Sequence, residues 1–290
     1  MEKNYVYIFL HLNKSGGTTI NAQMYKNLNA GEYIHIGQPW IKRKQRKKNF
    51  EKRSSSERRK VKFITGHKAY YGLHTYVKNK IPRYFTVLRC PAERLISYYN
   101  HEMSGLSKKY RVPFIKWYNN RKKNEILEFY CERIKNQNKK NTLNNYLIER
   151  LSELSRLIPG HEKRLNFGRR ILKRKKQKEN TKEILKEKLG KVQGLFDKMW
   201  FVGVVKRLNK DLPILFEKLG VPTTWKNYAI AEKKESENKL NENNNRTNEK
   251  IFILNAETKN LIYKENPFDV KLYNYAQKLN KLKVKQIKNE

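Results

Sequence analysis

Four short apolar runs punctuate the chain: "YVYIFLHL" (5–12), "VKFIT" (61–65), "YFTVLR" (84–89) and "MWFVGVV" (199–205). Each is nearly continuous in apolar residues. Parallel strands covered on both faces have this pattern; half-exposed strands alternate instead. Amphipathic stretches lie between the runs. Thr18–Leu28 sets Ile20, Met24 and Leu28 on one helical stripe. "PAERLISYYNH" (91–101) places Pro91 and Glu93 in a first turn, where both are favoured. "LNKDLPILFEKLG" (208–220) reads as a helix stopped by Gly220, and "NPFDVKLYNYAQKL" (266–279) as another amphipathic helix. Strands alternating with helices predict a doubly wound α/β fold with a central parallel sheet flanked by helices.

Three segments break the alternation. "IKRKQRKKNFEKRSSSERRK" (41–60) carries eleven basic and two acidic residues and reads as an exposed basic loop. Residues 105–195 are Lys/Asn-rich and weak in strand signal, which predicts a helical insertion. Residues 231–250 have almost no apolar content and read as a mobile loop. No internal repeat is visible, and 290 residues suit one domain spanning 1–290 with an ample core.

Composition narrows the function. The formal net charge is +39, which implies anionic partners such as nucleic acid, acidic polysaccharide, a membrane surface or a phosphorylated ligand. Lys and Asn are used heavily throughout, so part of the surplus is explained by a solvated surface. The chain has two cysteines, Cys90 and Cys131, and no disulfide framework is implied. The first apolar run is too short to span a bilayer and lacks a signal-peptide cleavage site. The expectation is a soluble, cytoplasmic protein.

Ligands of parallel α/β sheets bind beyond the carboxyl ends of the strands. After the first run comes Asn13-Lys14-Ser15-Gly16-Gly17-Thr18-Thr19. Two glycines let a backbone approach a ligand closely, a helix N-terminus attracts an anion, and Lys14 adds a point charge. The order is not that of a nucleoside-triphosphate loop, in which the lysine follows the glycines. None of the other predicted strands ends in a carboxylate that would hold Mg²⁺ for phosphoryl transfer. A sulfuryl group on an adenylate phosphate fits such a site; a glycine turn that only caps a helix is the plainer alternative. Arg89, at the end of the third run, and Ser97, two turns into the next helix, are placed to share one phosphate, with Arg89 able to bind it through two N–H groups. Taken singly, they are a surface arginine and a helix serine. His67 follows the second run and a glycine; a neutral histidine there is a candidate general base for an alcohol. His74, His11 and His101 are weaker candidates, and packing within the strand accounts for His11.

"HLNKSGGTTI", "GHKAYYGLH", "VLRCPAERLISYYNH" and "FVGVVKRLNKDLPILFEKLG", in this order and spacing, resemble sulfotransferases of the glycosaminoglycan 2-O-sulfotransferase type and their bacterial relatives. "NNNRTNE" and "NPFDVKLYNYA" are similar to the same family's tail. The resemblance covers both ends of the chain but not 105–195. It implies a P-loop-like α/β sandwich and a sulfuryl donor, 3′-phosphoadenosine 5′-phosphosulfate (PAPS), that leaves as 3′,5′-ADP, with no metal. It also implies that Lys14, Ser15, Gly16, Gly17, Thr18 and Thr19 form the loop for the 5′-phosphosulfate. Arg89 and Ser97 would bind the 3′-phosphate, Arg246 would contact the donor, and His67 would be the catalytic base beside Lys14. The acceptor it implies is a hydroxyl on a carbohydrate, and the positive charge suits a glycan that is already anionic. Asn13 stands where many relatives have proline; Cys90 and Lys206 each replace an acidic residue. The rival class is a basic nucleic-acid- or polyanion-binding module, with 41–60 and 161–191 as its patches. It leaves the loop, Arg89, Ser97 and His67 unconnected and lacks a recognised nucleic-acid motif.

Overall fold

A computed structural model of the chain describes residues 4–36, 53–77, 79–135, 181–222 and 251–290. Five parallel strands form one sheet: β1 (Tyr5–Phe9), β2 (Tyr33–His35), β3 (Phe63–Thr65), β4 (Ile81–Leu88) and β5 (Phe201–Val204), in the spatial order β2-β3-β1-β4-β5. Tyr7 lies opposite Phe63 on one side and Arg83 on the other, and Phe85 opposite Phe201. The central all-parallel sheet with helices on both faces is the expected α/β class. Pro82 enters β4 before β5 joins it, at an exposed start where a missing ladder donor is tolerated.

Successive residues of β1 point to opposite faces, and the two faces pack two cores. Val6, Ile8, Leu10 and Leu12 face α3 (Pro91–Ser104), α4 (Phe114–Asn119), α5 (Glu125–Lys135), α6 (Thr181–Lys198) and α8 (Ala256–Glu265). Tyr7 and Phe9 face α1 (Gly17–Asn27) and α7 (Leu208–Lys218) through Ile20, Met24, Leu212 and Phe216. The final helix, α9 (Pro267–Lys288), serves both: Leu272 and Ala276 join the first core, Val284 and Ile287 the second. It packs on β5 and so covers an edge strand that would otherwise offer an open ladder. α7 ends at Gly220 as expected, with the Gly220 N–H on Glu217 O and the Val221 N–H on Phe216 O.

Residues 105–135 and 181–195 are largely helical, and their helices contribute fully buried Ile126, Leu127, Tyr130 and Phe196 to the main core. Tyr130 also touches the sheet directly. Thr86 Oγ1 donates to Leu10 O, so the 2.6 Å contact with Tyr130 Oη is a bond donated by the tyrosine. The expected basic loop at 41–60 differs at its end: α2 (Ser55–Lys60) is a helix. The reason is a capping box, in which Ser54 Oγ accepts from Glu57 N while Glu57 accepts from Ser54 N. Residues 41–52, 136–180 and 231–250 lie outside the described residues.

Buried polar groups join α5 to α9. Asp269 accepts from the N–H groups of Ile126 and Leu127 at 3.0 and 2.9 Å, capping the start of α5 from another helix. Asn124 returns the bond, its Oδ1 accepting from Phe268 N and Asp269 N at the start of α9. Asn266 Oδ1 accepts from Asn124 N, and Asn266 Nδ2 donates to Tyr118 Oη and Ile262 O.

Candidate active site

β1 ends at Phe9, Leu10 N still donates to Phe85 O at 2.9 Å, and the chain then turns through the glycine loop into α1. Lys14 (φ 63°) and Gly16 (φ 77°) are both left-handed, the kind of backbone from which anion-binding concavities are built. A left-handed lysine is uncommon and marks a backbone held by its surroundings. Gly16 caps α1 without a side-chain bond, and no acidic residue occupies the first turn, leaving the helix N-terminal donors for another acceptor. Gly17 is required for space: a Cβ there would fall 1.8 Å from His11 Nε2. Val205 and Leu208, from the turn after β5, back the loop at Gly16.

The polar side chains of the loop are poorly paid in partners. Ser15 is 1% exposed, and its Oγ has no hydrogen-bond partner among the described residues; the same holds for Asn13 Oδ1. Lys14 has no acidic partner among them either. Burial lowers the Lys14 pKa, and the nearby Arg89 charge lowers it further. Two cations therefore share one region, which an anion would relieve. Thr18 is exposed and Thr19 half-buried on the first turn of α1.

Arg89 follows β4, and Glu93 holds it at 3.4 Å. Glu93 and Ser97 are one helical turn apart on α3, so Arg89 lies over the face that carries the half-buried Ser97. Cys90 is buried at the N-cap of α3 with its Sγ 3.0 Å from Tyr263 Oη. Lys206 is exposed after β5, and Arg207 pairs with Asp211 at 3.2 Å. Arg246 lies outside the described residues.

His67 sits on the turn after β3. Gly66 precedes it at φ 125°, and a Cβ there would meet Ile36 O at 2.0 Å, so only glycine permits this turn. His67 Nδ1 lies 3.3 Å from His11 O. A carbonyl only accepts, so Nδ1 carries the proton, and Nε2 of the neutral ring keeps a lone pair. Burial lowers the His67 pKa; the bond to His11 O opposes this, and the charges of Arg133 and Lys68 add to it. The ring is thus a neutral acceptor at neutral pH. Arg133, buried on α5, donates to His67 O at 2.6 Å and fixes the turn from the far side.

His74 has the opposite tautomer. Tyr84 Oη accepts from Gly72 N at 2.8 Å and His74 N at 3.2 Å, so its own proton goes to His74 Nδ1 at 2.9 Å. His74 then holds its proton on Nε2 and is committed to the β4 tyrosine. His11, expected within the first strand, lies beyond it: β1 ends two residues earlier, and the His11 ring contacts the loop and His67. His101 lies exposed in the last turn of α3. Arg133 was missed; its signal was a charged residue seven positions after Ile126 on the apolar stripe of α5.

A parallel α/β sheet carries an uncapped glycine loop after β1, a lysine there without an acidic partner among the described residues, and a histidine after β3, an arrangement that suits an anionic ligand. The sequence profile of the sulfotransferase family matches residues 1–276, and the chain belongs to that family. Among curated proteins no sequence matches it. The family implies PAPS as the sulfuryl donor and a hydroxyl-bearing acceptor. Among the described residues no helix is long and apolar enough to cross a membrane.

Proposed function

We propose that this sulfotransferase uses His67 to deprotonate an acceptor hydroxyl, on a carbohydrate, with PAPS held by the Lys14–Thr19 loop, Arg89 and Ser97. The observation that carries the reading is the His67 Nδ1 bond to His11 O. It ties the base to the segment that leads into the loop and leaves Nε2 free to accept a proton. Fit to the donor is supported by the partnerless Ser15 Oγ, the uncapped α1 N-terminus and the adjacent Lys14 and Arg89 charges.

When bound, PAPS supplies a sulfuryl group on a phosphate leaving group. His67 Nε2 takes the acceptor proton as the new oxygen–sulfur bond forms and the sulfur–phosphate oxygen bond breaks. Lys14 and the loop N–H groups face the charge that grows on the departing oxygen, as preorganised donors do in other transfers. Arg89 and Ser97 hold the 3′-phosphate and fix the donor's register. The remaining positive surface favours a glycan that already carries negative charge.

Thermal shift with 3′,5′-ADP against AMP tests the donor assignment. Charged hydrogen bonds to the 3′-phosphate should make 3′,5′-ADP bind more tightly by about 1.5–3 kcal/mol. Equal shifts would refute it. Duplex DNA serves as the control for the polyanion-binding class, and labelled PAPS with a panel of glycans identifies the acceptor.

A further inference from the structure

His11 is a buried polar residue just beyond the end of β1. It continues the face of β1 that carries Tyr7 and Phe9, its ring stacks on Phe9 at 5.1 Å, and it is 7% exposed. Yet its Nδ1 has no hydrogen-bond partner among the described residues. An aliphatic side chain would fill the same face without leaving a nitrogen unpartnered. What the imidazole has that an aliphatic chain lacks is a flat, narrow edge. That edge presses on the Gly17 backbone, where a Cβ would fall 1.8 Å from Nε2 and 2.2 Å from Cδ2. The same ring lies 4.2 Å from the His67 ring, tilted by 35°.

We propose that the His11 side chain is a positioning residue for sulfuryl transfer, its ring setting the spacing between His67 and the Gly17 end of the anion loop. This rests on the reading of His67 as the base. The backbone of His11 fixes the His67 tautomer and its side chain fixes where the ring stands, so one residue aligns the base with the loop. The ring must stay uncharged for this role, because an imidazolium would repel the cation that His67 becomes on taking a proton. Burial, with His67 and His35 adding to it, pushes the His11 pKa down to about 3, which keeps the ring neutral. The charged and titratable groups facing His67 are Lys68 on its own turn, Arg133 from α5 and His11 from the end of β1; His35, at the end of β2, faces His11.

Two variants of the full chain separate positioning from packing. His11→Ala opens a gap, and His11→Leu refills most of the volume without a flat edge. In both, kcat should fall at least about tenfold while KM for PAPS and 3′,5′-ADP binding stay within about threefold, since the aligned geometry matters most in the transition state. In His11→Ala, the His67 titration, followed by NMR with assignment from His67→Ala, should move up toward its ordinary value of 6.5 as the ring gains solvent. His11→Leu should recover melting temperature but not kcat. Wild-type kcat in the leucine variant, or an unmoved His67 titration in the alanine variant, would overturn the proposal and leave His11 as packing. The NMR titration needs no turnover. If the wild-type protein fails to bind 3′,5′-ADP, the donor assignment fails, while a moved His67 titration still supports the His11–His67 spacing.

Discussion

Two polar clusters lie inside this molecule, one at the junction of α5 and α9 and one beyond the carboxyl ends of β1 and β3. At the junction, both carboxylate oxygens of Asp269 and the amide oxygens of Asn124 and Asn266 accept hydrogen bonds from backbone N–H groups. At the sheet end, His11 Nδ1, Asn13 Oδ1 and Ser15 Oγ have no partner among the described residues, and Lys14 stands near Arg89, which is held by Glu93, with no acidic partner of its own among them. Buried polar groups in folded proteins are nearly always satisfied, so a cluster without partners among the described residues is a candidate for a ligand site. The first cluster completes two helix starts and holds the fold. The second leaves polar groups unpartnered among the described residues, where the proposed donor site lies.

Substitutions should respect this division. The largest effect belongs to His67. His67→Ala should lose about 10²–10⁴ in rate, the usual contribution of a positioned base, with 3′,5′-ADP binding and melting temperature near wild type. His74→Ala should lose far less activity, because its Nδ1 is bound to Tyr84 Oη. Steady-state kinetics with thermal melts on both variants check this, and a dead His74→Ala beside an active His67→Ala would reverse the assignment. Lys14→Ala comes next, with kcat expected to fall about 10²–10³, the cost of losing one transition-state donor. A rise in KM alone would make Lys14 a ground-state anchor instead.

The smallest effect on turnover and the clearest on stability belong to Asp269. Asp269→Ala leaves the Ile126 and Leu127 N–H groups buried without acceptors, at about 1–3 kcal/mol each, and should lower the melting temperature while the folded fraction keeps its kcat. Burial, which outweighs the two backbone bonds, raises the Asp269 pKa from its ordinary 3.8 to about 6. Between these values the folded protein holds the proton more tightly than the unfolded chain does. Its contribution to stability is therefore full below pH 3.8 and is lost as pH rises through about 6. Asp269→Asn should lack that slope in denaturation curves measured across this range.

What the sequence made legible follows from the same contrast. Four strands could be read from their continuous apolar runs. β2, three residues of mixed character (Tyr33-Ile34-His35), was too short and too polar for periodicity to find. Lys14, Arg89 and His67 were readable because each stands just after a strand, where chain order and position in space coincide. Arg133 was not, since its partner His67 O is 66 residues away. The caps at Asn124 and Asp269 escaped for the same reason: a cap signal is normally local, and here each helix start is completed by a residue more than a hundred positions distant. The proposed role of His11 is hidden in the sequence because its run reads as uninterrupted strand, whereas β1 ends at Phe9.

The central claim, that His67 is a neutral base held by its Nδ1 bond, is tested most directly by the pH dependence of kcat/KM. Burial lowers the His67 pKa from 6.5, and the base works only when unprotonated, so activity should be on a plateau near neutrality and fall as pH drops through a midpoint below 6.5. The residual activity of His67→Ala should lack that limb. A midpoint at or above 6.5, or the same limb persisting in His67→Ala, would contradict the account.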